Sequence, residues 1–440
     1  MPARGPVYIV LAAFLVFAGL FAAVTPYMTP GTLRYQRDAQ GLPQQVVDIG
    51  APDERQHAFY VKHLLDGKGF PELKPGSPDL GDTYQSHQPP LYYLITAAWA
   101  KLTGQEPLSE KSGFMMRLPN LVIGGFLILG LAALARAAWP DRPTFEAAVA
   151  GFALMPMVIA LHGAVSNDPL LFCLSTWCLV FTWQGMNGGW TWKRALLAGG
   201  LGGLALLTKT SALFLVPVLI AALIFSRSKP KLVHIAAAAG LMLLLAAPWW
   251  LRNQQLYGDP LALNAFREAF PGSPLASMFI EGIGPAAYWI NMVGWWTGRS
   301  FIGAFGYMDI FFFESAGPLS GVFYQAAMVI VFGVMAVGVL GWRKLREESE
   351  GEWRTPALAA VVLITVGALF AQFNLTYFQG QARYLYPAIG AFALLWGAGV
   401  TRLVGANRSW SWAIGSIALA GLVILALTQL PEAFRLRQGL

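Results

Sequence analysis

The sequence has few charged residues and almost no cysteine. Charged side chains make up 12% of the 440 residues and hydrophobic ones 56%, whereas soluble domains average roughly 25% charged and 45 to 50% apolar residues. This composition excludes a soluble globular protein and a disordered chain. The two cysteines, Cys173 and Cys178, lie in one apolar run at a spacing that does not bring them face to face on a helix. No disulfide or metal framework follows from them.

The net charge of +7 would suggest a nucleic-acid partner in a soluble protein. In this chain the basic residues lie mostly between apolar runs, so we expect no nucleic-acid partner. The 47 glycines, 28 prolines and 16 tryptophans are typical of helical membrane proteins. The composition therefore predicts an all-α protein surrounded by membrane lipids.

Apolar runs of about the length needed to cross a bilayer, about 20 residues, recur along the chain. The first is longer than the apolar region of a signal peptide, which is about 7 to 15 residues, and we interpret it as an uncleaved helix. The runs predict about eleven transmembrane helices. They cover residues 7–28, 114–135, 144–163, 168–186, 194–208, 211–226, 232–251, 318–341, 356–373, 385–401 and 410–429.

Residues 89–104 decide the predicted topology. This segment has two leading prolines and contains Lys101, so it is either a short span or a helix at the interface. If it does not cross, fourteen basic residues fall in short connections on one side and four on the other. Short cytoplasmic loops are enriched in Lys and Arg, which favours an interfacial segment, a cytoplasmic N-terminus and an extracytoplasmic C-terminus. The fourteen are Arg4, Arg136, Arg142, Lys193, Arg194, Arg227, Lys229, Lys231, Arg343, Lys344, Arg346, Arg354, Arg402 and Arg408; the four are Lys209, Arg383, Arg435 and Arg437.

This topology makes residues 1–440 a single transmembrane domain with two large extracytoplasmic loops, residues 29–113 and 252–317. Both are longer than the roughly 12 to 15 residues of ordinary connections, which indicates a function. The second loop is rich in aromatic residues between 279 and 313. These either form an interfacial belt or include one or two rings that stack on a sugar.

Asp53, Glu54 and His57 open a helix in the first loop, because apolar residues recur at helical spacing after them. The pattern predicts an amphipathic helix on the outer surface. Asp53 followed by Gln56 three residues later matches a capping box, which is the commoner role of such a pair. The alternative is catalysis, since two adjacent carboxylates stand one helical turn from an imidazole.

Asn167 and Asp168 lie between two apolar runs and are followed by Pro169. Pro in the first turn is typical of a helix start, whereas polar groups between long apolar runs indicate a water-filled cavity. Lys209 occupies a short link between two further runs. It is either a lysine that extends to the interface or, since it lies outside against the charge bias, a group that binds an anion.

Arg252 and Arg383 are predicted at the outer ends of helices. Interfacial arginines occur in any membrane protein, so each alone is weak evidence. Together with Lys209 they supply cations on the same face as Asp53 and Asp168. A phosphate leaving group needs such cations, and a hydroxyl nucleophile needs a carboxylate base.

Taken in order, these motifs resemble the GT-C superfamily of membrane glycosyltransferases. The resemblance is to the branch that contains protein O-mannosyltransferases and lipid A aminoarabinose transferases, which use a sugar carried on polyprenyl phosphate. It extends over most of the chain, and the combination is more specific than any single motif. The matching segments are Pro52–Glu54, His87–Tyr93, Asn167–Pro169, Thr208–Lys209, Pro248–Asn253 and Arg383–Tyr384.

The resemblance implies a GT-C fold with juxtamembrane helices in the first loop and an inverting transfer from a polyprenyl-phosphate-linked sugar. In this interpretation Asp53 is the base that deprotonates an acceptor hydroxyl on a lipid, glycan or protein. Glu54 and His57 orient Asp53 or the acceptor, and Asp168 is a second acidic group. The expected location is a bacterial inner membrane with the site on the extracytoplasmic side. The substrate-binding residues would be His57, His87, Gln88, Asn167, Lys209, Arg252, Arg383 and Tyr384.

His87 and Gln88 depart from the aminoarabinose transferases, which have Glu-Lys before the loop-ending proline. The His-Pro-Pro-Leu of the mannosyltransferases is closer, and this favours a neutral hexose donor. A divalent metal is possible if Asp53, Glu54 and Asp168 converge, but the branch does not need one and we expect no cofactor.

Two other classes of protein remain open. A transporter or lipid flippase would also have many spans, but it should show repeats or broken helices in both halves and charged groups near the bilayer midplane. A catalytically inactive GT-C-like scaffold has no distinguishing sequence feature.

Overall fold

The computed structural model describes residues 5–27, 35–37, 43–45, 50–140, 142–269, 274–347, 353–405 and 410–437. Arg4 and Arg408, which entered the charge count, lie outside the described residues. Most of the described chain is helical. The α-helices are α1 (Gly5–Val24), α2 (Glu54–Leu65), α3 (Leu80–Thr83), α4 (Leu91–Thr103), α5 (Gly113–Ala138), α6 (Pro143–Gly151), α7 (Pro156–His162), α8 (Asp168–Gly188), α9 (Trp192–Leu206), α10 (Leu215–Ile224), α11 (Leu232–Tyr257), α12 (Leu263–Ala269), α13 (Ala276–Ile283), α14 (Pro285–Ala287), α15 (Trp295–Ile302), α16 (Pro318–Glu347), α17 (Arg354–Thr376), α18 (Ile389–Val404) and α19 (Ser411–Arg437).

Short elements connect these helices. Two three-residue strands, β1 (Tyr35–Arg37) and β2 (Pro43–Gln45), pair antiparallel with Tyr35 opposite Gln45. A π-helix covers Tyr288–Gly294. The 3₁₀ helices are Tyr84–His87, Glu110–Ser112, Phe152–Leu154, Thr210–Phe214, Glu314–Ala316, Ala382–Tyr384 and Tyr386–Ala388.

The membrane-spanning helices are fewer than the sequence suggested. Among the described residues, eight helices are long and apolar enough to cross a bilayer, namely α1, α5, α8, α11, α16, α17, α18 and α19, and the pair α6–α7 makes a ninth if its two parts form one span. The protein is therefore an integral membrane protein, but the described part of the chain does not contain eleven long spans.

The other two predicted spans are helical but short. Helix α9 has 15 residues, and the apolar stretch Thr210–Ile224 is of similar length. At 1.5 Å per residue each is about 22 Å long, less than the roughly 30 Å of the hydrocarbon core. The apolar runs 194–208 and 211–226 predicted these helices with nearly the observed lengths, but such lengths are too short for a straight span.

Helices α6 and α7 meet at a bend of 69°. Pro156 occupies the first turn of α7, and Met155 before it has an extended ψ of 128°. The bend follows from the proline ring, which disfavours helical geometry at the preceding residue.

Helices α8 and α18 lie at the centre of the helical bundle. In each of them 78% of the most apolar stretch is buried, compared with 28% in α11, α16 and α17. Helix α18 packs closely on α16, because a Cβ atom at Gly399 would lie only 2.0 Å from the carbonyl oxygen of Val334. Small residues permit such close backbone approach in membranes.

The first loop contains α2, α3 and α4, and α2 packs against both of the other two. Helix α4 has 13 residues and is about 20 Å long, too short for the hydrocarbon core. The backbone N–H of Leu91, at its start, donates to the carbonyl of Leu207 over 2.9 Å. This bond joins the first loop to the link that carries Lys209.

The segment predicted as the second loop, residues 252–317, begins inside a helix and contains several short helices. Helix α11 continues to Tyr257, so Arg252 lies within a helix and not at the beginning of a loop. Residues 258–317 then contain α12 to α15 and the π-helix.

Candidate active site

Asp53 directly precedes α2 and has a left-handed backbone conformation, with φ of 58°. Non-glycine residues seldom adopt positive φ, and aspartate tolerates it better than most. The Asp53 side chain makes no capping hydrogen bond, and the Gln56 amide donates instead to the carbonyl of Gly81 over 2.8 Å. The capping-box interpretation is therefore wrong. The left-handed turn leaves the carboxylate available for contacts outside the helix.

Both oxygens of the Asp53 carboxylate are hydrogen-bonded. Arg383 Nη1 donates to Oδ2 over 2.6 Å, and the guanidinium is fixed in turn by Gln381, whose Oε1 lies 2.7 Å from Nε. The Tyr84 hydroxyl donates to Oδ1, and the Tyr307 hydroxyl donates to the same oxygen over 3.3 Å.

The charge state of Asp53 follows from this environment. Burial disfavours the anion, but the Arg383 guanidinium and the Tyr84 hydroxyl outweigh burial and hold the pKa of Asp53 below its usual range. Burial also lowers the pKa of His57 to about 4. At neutral pH the carboxylate is ionised and the imidazole is uncharged.

A second ion pair joins Asp168 and Lys209. The Lys209 ammonium lies 2.6 Å from Asp168 Oδ1 and 5.7 Å from the centroid of the Tyr384 ring, a cation–π contact. Asp168 is 1% exposed, and its Oδ2 has no hydrogen-bond partner in the described part of the chain. As predicted, Asp168 begins α8 with Pro169 in the first turn, and Lys209 occupies the link between α9 and the next helical segment.

Tyr384 connects the two ion pairs. Its hydroxyl accepts a hydrogen bond from Arg383 Nη2 over 3.3 Å, while its ring faces Lys209. The charges of Asp53, Arg383, Asp168 and Lys209 all act on the His57 imidazole. The structure thus brings five predicted residues into one continuous cluster, which we call the paired-charge cluster: Asp53, Arg383, Tyr384, Lys209 and Asp168.

His87 and Gln88 lie beside this cluster. His87 Nδ1 is 2.7 Å from the carbonyl of Tyr84, so Nδ1 carries the proton because a carbonyl only accepts. Its Nε2 then accepts from the Gln88 amide over 2.9 Å. Burial lowers the pKa of His87 to about 4, consistent with a neutral ring. Asn167 Nδ2 lies 3.4 Å from Gln88 Oε1.

Glu54 and His57 are both buried in the first turn of α2. His57 Nδ1 lies 2.9 Å from the Tyr93 hydroxyl. Glu54 forms an ion pair with Arg117 over 2.8 and 2.6 Å and also accepts the backbone N–H of Val165 over 2.8 Å. These contacts engage both oxygens of the Glu54 carboxylate with groups other than Asp53.

Arg117 extends the Glu54 contact to a third helix. Its guanidinium donates to the carbonyls of Ala22, Thr25 and Pro26 over 2.7, 2.7 and 3.1 Å. The Glu54–Arg117 pair thereby connects the end of α1, the start of α2, helix α5 and the segment that precedes Asp168.

Arg252 is the one predicted cation that has no described contact with the paired-charge cluster. Its guanidinium stacks on Trp249 at 4.7 Å and donates to the carbonyls of Phe70 and Pro71 over 3.1 and 2.9 Å. These contacts anchor the first loop on α11.

Tyr84 and Arg117 were not predicted as site residues, and Tyr307 was predicted only as one of several aromatic residues of the second loop. Arg117 carries a signal that could have found it, because an ionisable residue within a membrane-spanning run usually has a specific partner. No local pattern distinguishes Tyr84 or Tyr307 from other loop tyrosines.

Within the described ranges, no group of three His, Cys, Asp or Glu side chains is arranged to hold a metal ion. The acidic groups of the cluster instead face cations, since Asp53 contacts Arg383 and Asp168 contacts Lys209. The arrangement suits an anionic substrate that can share these cations.

The described helices form a membrane-embedded bundle, and the paired-charge cluster lies at the ends of several of them. Residues 87–251 match the sequence model of a family described as dolichyl-phosphate-mannose-protein mannosyltransferase. That match includes His87, Asp168 and Lys209 but not Asp53 or Arg383. A search of the curated proteins gives no match.

Similar solved structures include ArnT and an archaeal oligosaccharyltransferase. ArnT from Cupriavidus metallidurans bound to undecaprenyl phosphate is 17% identical, with 99% of this chain and 75% of that chain covered and a TM-score of 0.54. In its apo state the covered shares are 95% and 63%, with 17% identity and a TM-score of 0.53. The oligosaccharyltransferase of Archaeoglobus fulgidus in complex with Zn and sulfate is 14% identical, with 95% and 53% covered and a TM-score of 0.53. The chain thus spans 63 to 75% of ArnT and about half of the archaeal enzyme. The expected GT-C fold is confirmed.

Proposed function

We propose that the protein transfers a sugar from a polyprenyl-phosphate carrier to an acceptor hydroxyl on the extracytoplasmic side of a bacterial inner membrane. The observation that carries this proposal is the paired-charge cluster, in which two carboxylates and two cations are connected through Tyr384. ArnT with undecaprenyl phosphate and archaeal AglB with a dolichol-phosphate support the kind of donor.

Lys209 and Arg383 bind the donor phosphate. Each already faces a carboxylate, so the phosphate shares these cations with Asp168 and Asp53. Charge accumulates on the phosphate as the bond from the anomeric carbon to its oxygen breaks. One well-placed group that stabilises such charge is worth roughly 2.7 to 4 kcal/mol of barrier.

Asp53 is the base. Its carboxylate is ionised at neutral pH and accepts the proton of the acceptor hydroxyl, whose oxygen attacks the anomeric carbon as the phosphate leaves. A single displacement inverts that carbon. Arg383 makes Asp53 a weak base in the resting site, and a donor phosphate that attracts Arg383 increases the basicity of Asp53. Donor binding thereby prepares the acceptor step.

The reaction proceeds without a resident divalent metal, because Lys209 and Arg383 lie where a metal would otherwise neutralise the two carboxylates. His87 and Gln88 select a neutral hexose, and the family match at residues 87–251 supports this choice. The acceptor is a lipid, glycan or protein.

The test is sugar transfer in proteoliposomes supplied with a labelled polyprenyl-phosphate hexose. Asp53→Asn should lower kcat by roughly 10²- to 10⁴-fold, the usual contribution of a general base. Asp82→Asn is the matched control in the same loop, because Asp82 pairs with Arg55 over 2.9 Å and lies outside the paired-charge cluster; it should keep its activity.

Full activity of Asp53→Asn would remove Asp53 from the mechanism. Absence of transfer by the wild-type protein with every polyprenyl donor tested would favour a transporter, a flippase or an inactive scaffold.

A further inference from the structure

Tyr307 lies at the tip of a tight turn between α15 and α16. Phe305 and Ile310 close the turn with two backbone hydrogen bonds of 2.8 and 3.1 Å, and both side chains are buried. Gly306 and Met308, on either side of Tyr307, have positive φ values of 60° and 69°. Non-glycine residues with positive φ are costly and persist where the surrounding structure enforces them. The turn therefore holds Tyr307 in a defined position.

Tyr84 approaches the same point from the first loop. It starts the 3₁₀ helix Tyr84–His87, and its carbonyl is held by His87 Nδ1. The hydroxyls of Tyr84 and Tyr307 are 3.2 Å apart and both donate to Asp53 Oδ1. Two loops that are more than 200 residues apart in sequence thus meet at one oxygen atom.

Among the described residues, these contacts leave one acceptor position of the carboxylate without a donor. An ionised carboxylate has about four acceptor positions. The two phenols occupy those on Oδ1, and Arg383 occupies one on Oδ2. The remaining position is on Oδ2, beside the cation that we assign to the donor phosphate.

We propose that Tyr84 and Tyr307 are positioning residues that orient the Asp53 carboxylate so that Oδ2 receives the proton of the acceptor hydroxyl. This inference rests on the proposed function and assigns a role to the second large loop through Tyr307. The phenols keep their protons throughout. The bond that forms is between Oδ2 and the acceptor proton, and the bond that breaks is the acceptor O–H.

The test compares Tyr84→Phe and Tyr307→Phe with Tyr288→Phe in the proteoliposome assay. Tyr288 is a matched control because it is a buried tyrosine of the second loop whose hydroxyl donates to a backbone carbonyl, that of Asn374, over 2.7 Å. Each of the two site variants should lower kcat by about ten- to a hundredfold, the range expected for a lost hydrogen bond to a charged group. The KM values for donor and acceptor should stay near those of the wild type.

The acid limb of the pH dependence of kcat gives a second readout. Loss of a phenol that stabilises the carboxylate anion makes Asp53 easier to protonate, so this limb should move to higher pH in both site variants and stay in place in Tyr288→Phe. The position of the limb does not depend on how much of a variant folds, which separates positioning from instability.

Two results would overturn the inference while leaving the proposed function intact. One is that the site variants match Tyr288→Phe in kcat and in the acid limb. The other is a lower acceptor KM with unchanged kcat, which would mean that the phenols compete with the acceptor for Asp53. A wild-type protein without transfer, or an active Asp53→Asn variant, would refute the proposed function itself.

Discussion

Replacement of Glu54 by glutamine should destabilise the protein without removing its chemistry. The Glu54 and Arg117 side chains are each 1% exposed, and the carboxylate receives two bonds from Arg117 and one from the backbone of Val165. Glutamine has nearly the same shape but no charge, so the change leaves the arginine cation buried without its counter-ion.

The magnitude follows from this burial. Removal of one partner of a buried ion pair costs about 3 to 5 kcal/mol. This corresponds to a change in the ratio of folded to unfolded protein on the order of a hundred- to a few-thousandfold. The partially exposed pair of Arg136 and Glu146, in which the arginine side chain is 41% exposed, should tolerate Glu146→Gln with a smaller loss.

Thermal unfolding in detergent micelles measures the stability of both variants, and sugar transfer per folded molecule measures the chemistry. We expect Glu54→Gln to melt at a lower temperature than Glu146→Gln and to turn over substrate nearly as fast as the wild type below that temperature. A double-mutant cycle with Arg117→Met should show a coupling of about 0.5 to 3 kcal/mol, as for residues in contact.

The opposite pattern would refute this reasoning. If Glu54→Gln melts like the wild type but loses turnover, Glu54 acts on the substrate and the Glu54–Arg117 pair contributes little to stability.

Two further predictions concern the arginines. Arg383→Gln removes the cation that offsets the burial of Asp53, so the pKa of Asp53 should rise. The acid limb of the pH dependence of the transfer rate should therefore move to higher pH, and the donor KM should increase. An acid limb that stays in place would contradict the assigned pairing of Asp53 with Arg383. Arg252→Ala removes the hydrogen bonds to the carbonyls of Phe70 and Pro71. Limited proteolysis of the first loop should therefore become faster, while kcat stays near the wild-type value. A large loss of kcat with an unchanged cleavage rate would mean that Arg252 contacts the substrate.

Much of the fold could be predicted because apolar runs and helix signals are local. Asp168–Pro169 begins a helix as expected, and Lys209 lies in a link as expected. The count of eleven spans is not confirmed, because it included short helices such as α9, which has 15 residues.

The site was predicted in part, for a physical reason. The order of motifs pointed to Asp53, Asp168, Lys209 and Arg383, and the structure brings these residues together, although their roles stay predictions. The contacts of Asp53 with Tyr84 and Tyr307 depend on how distant loops fold against each other. Local spacing favoured a capping role for Asp53, but the left-handed backbone at that residue turned its carboxylate away from the helix.

The pairing of Asp168 with Lys209 and of Asp53 with Arg383 makes the empty site electrically balanced. A balanced site produces little long-range attraction for anions in the surrounding water, so we expect inorganic phosphate and nucleotide sugars to be poor competitors. A lipid-linked donor arrives instead from within the bilayer, where each buried methylene of its tail contributes about 0.8 kcal/mol. The length of the hydrocarbon tail, more than the ionic strength, should then determine how often the site is filled.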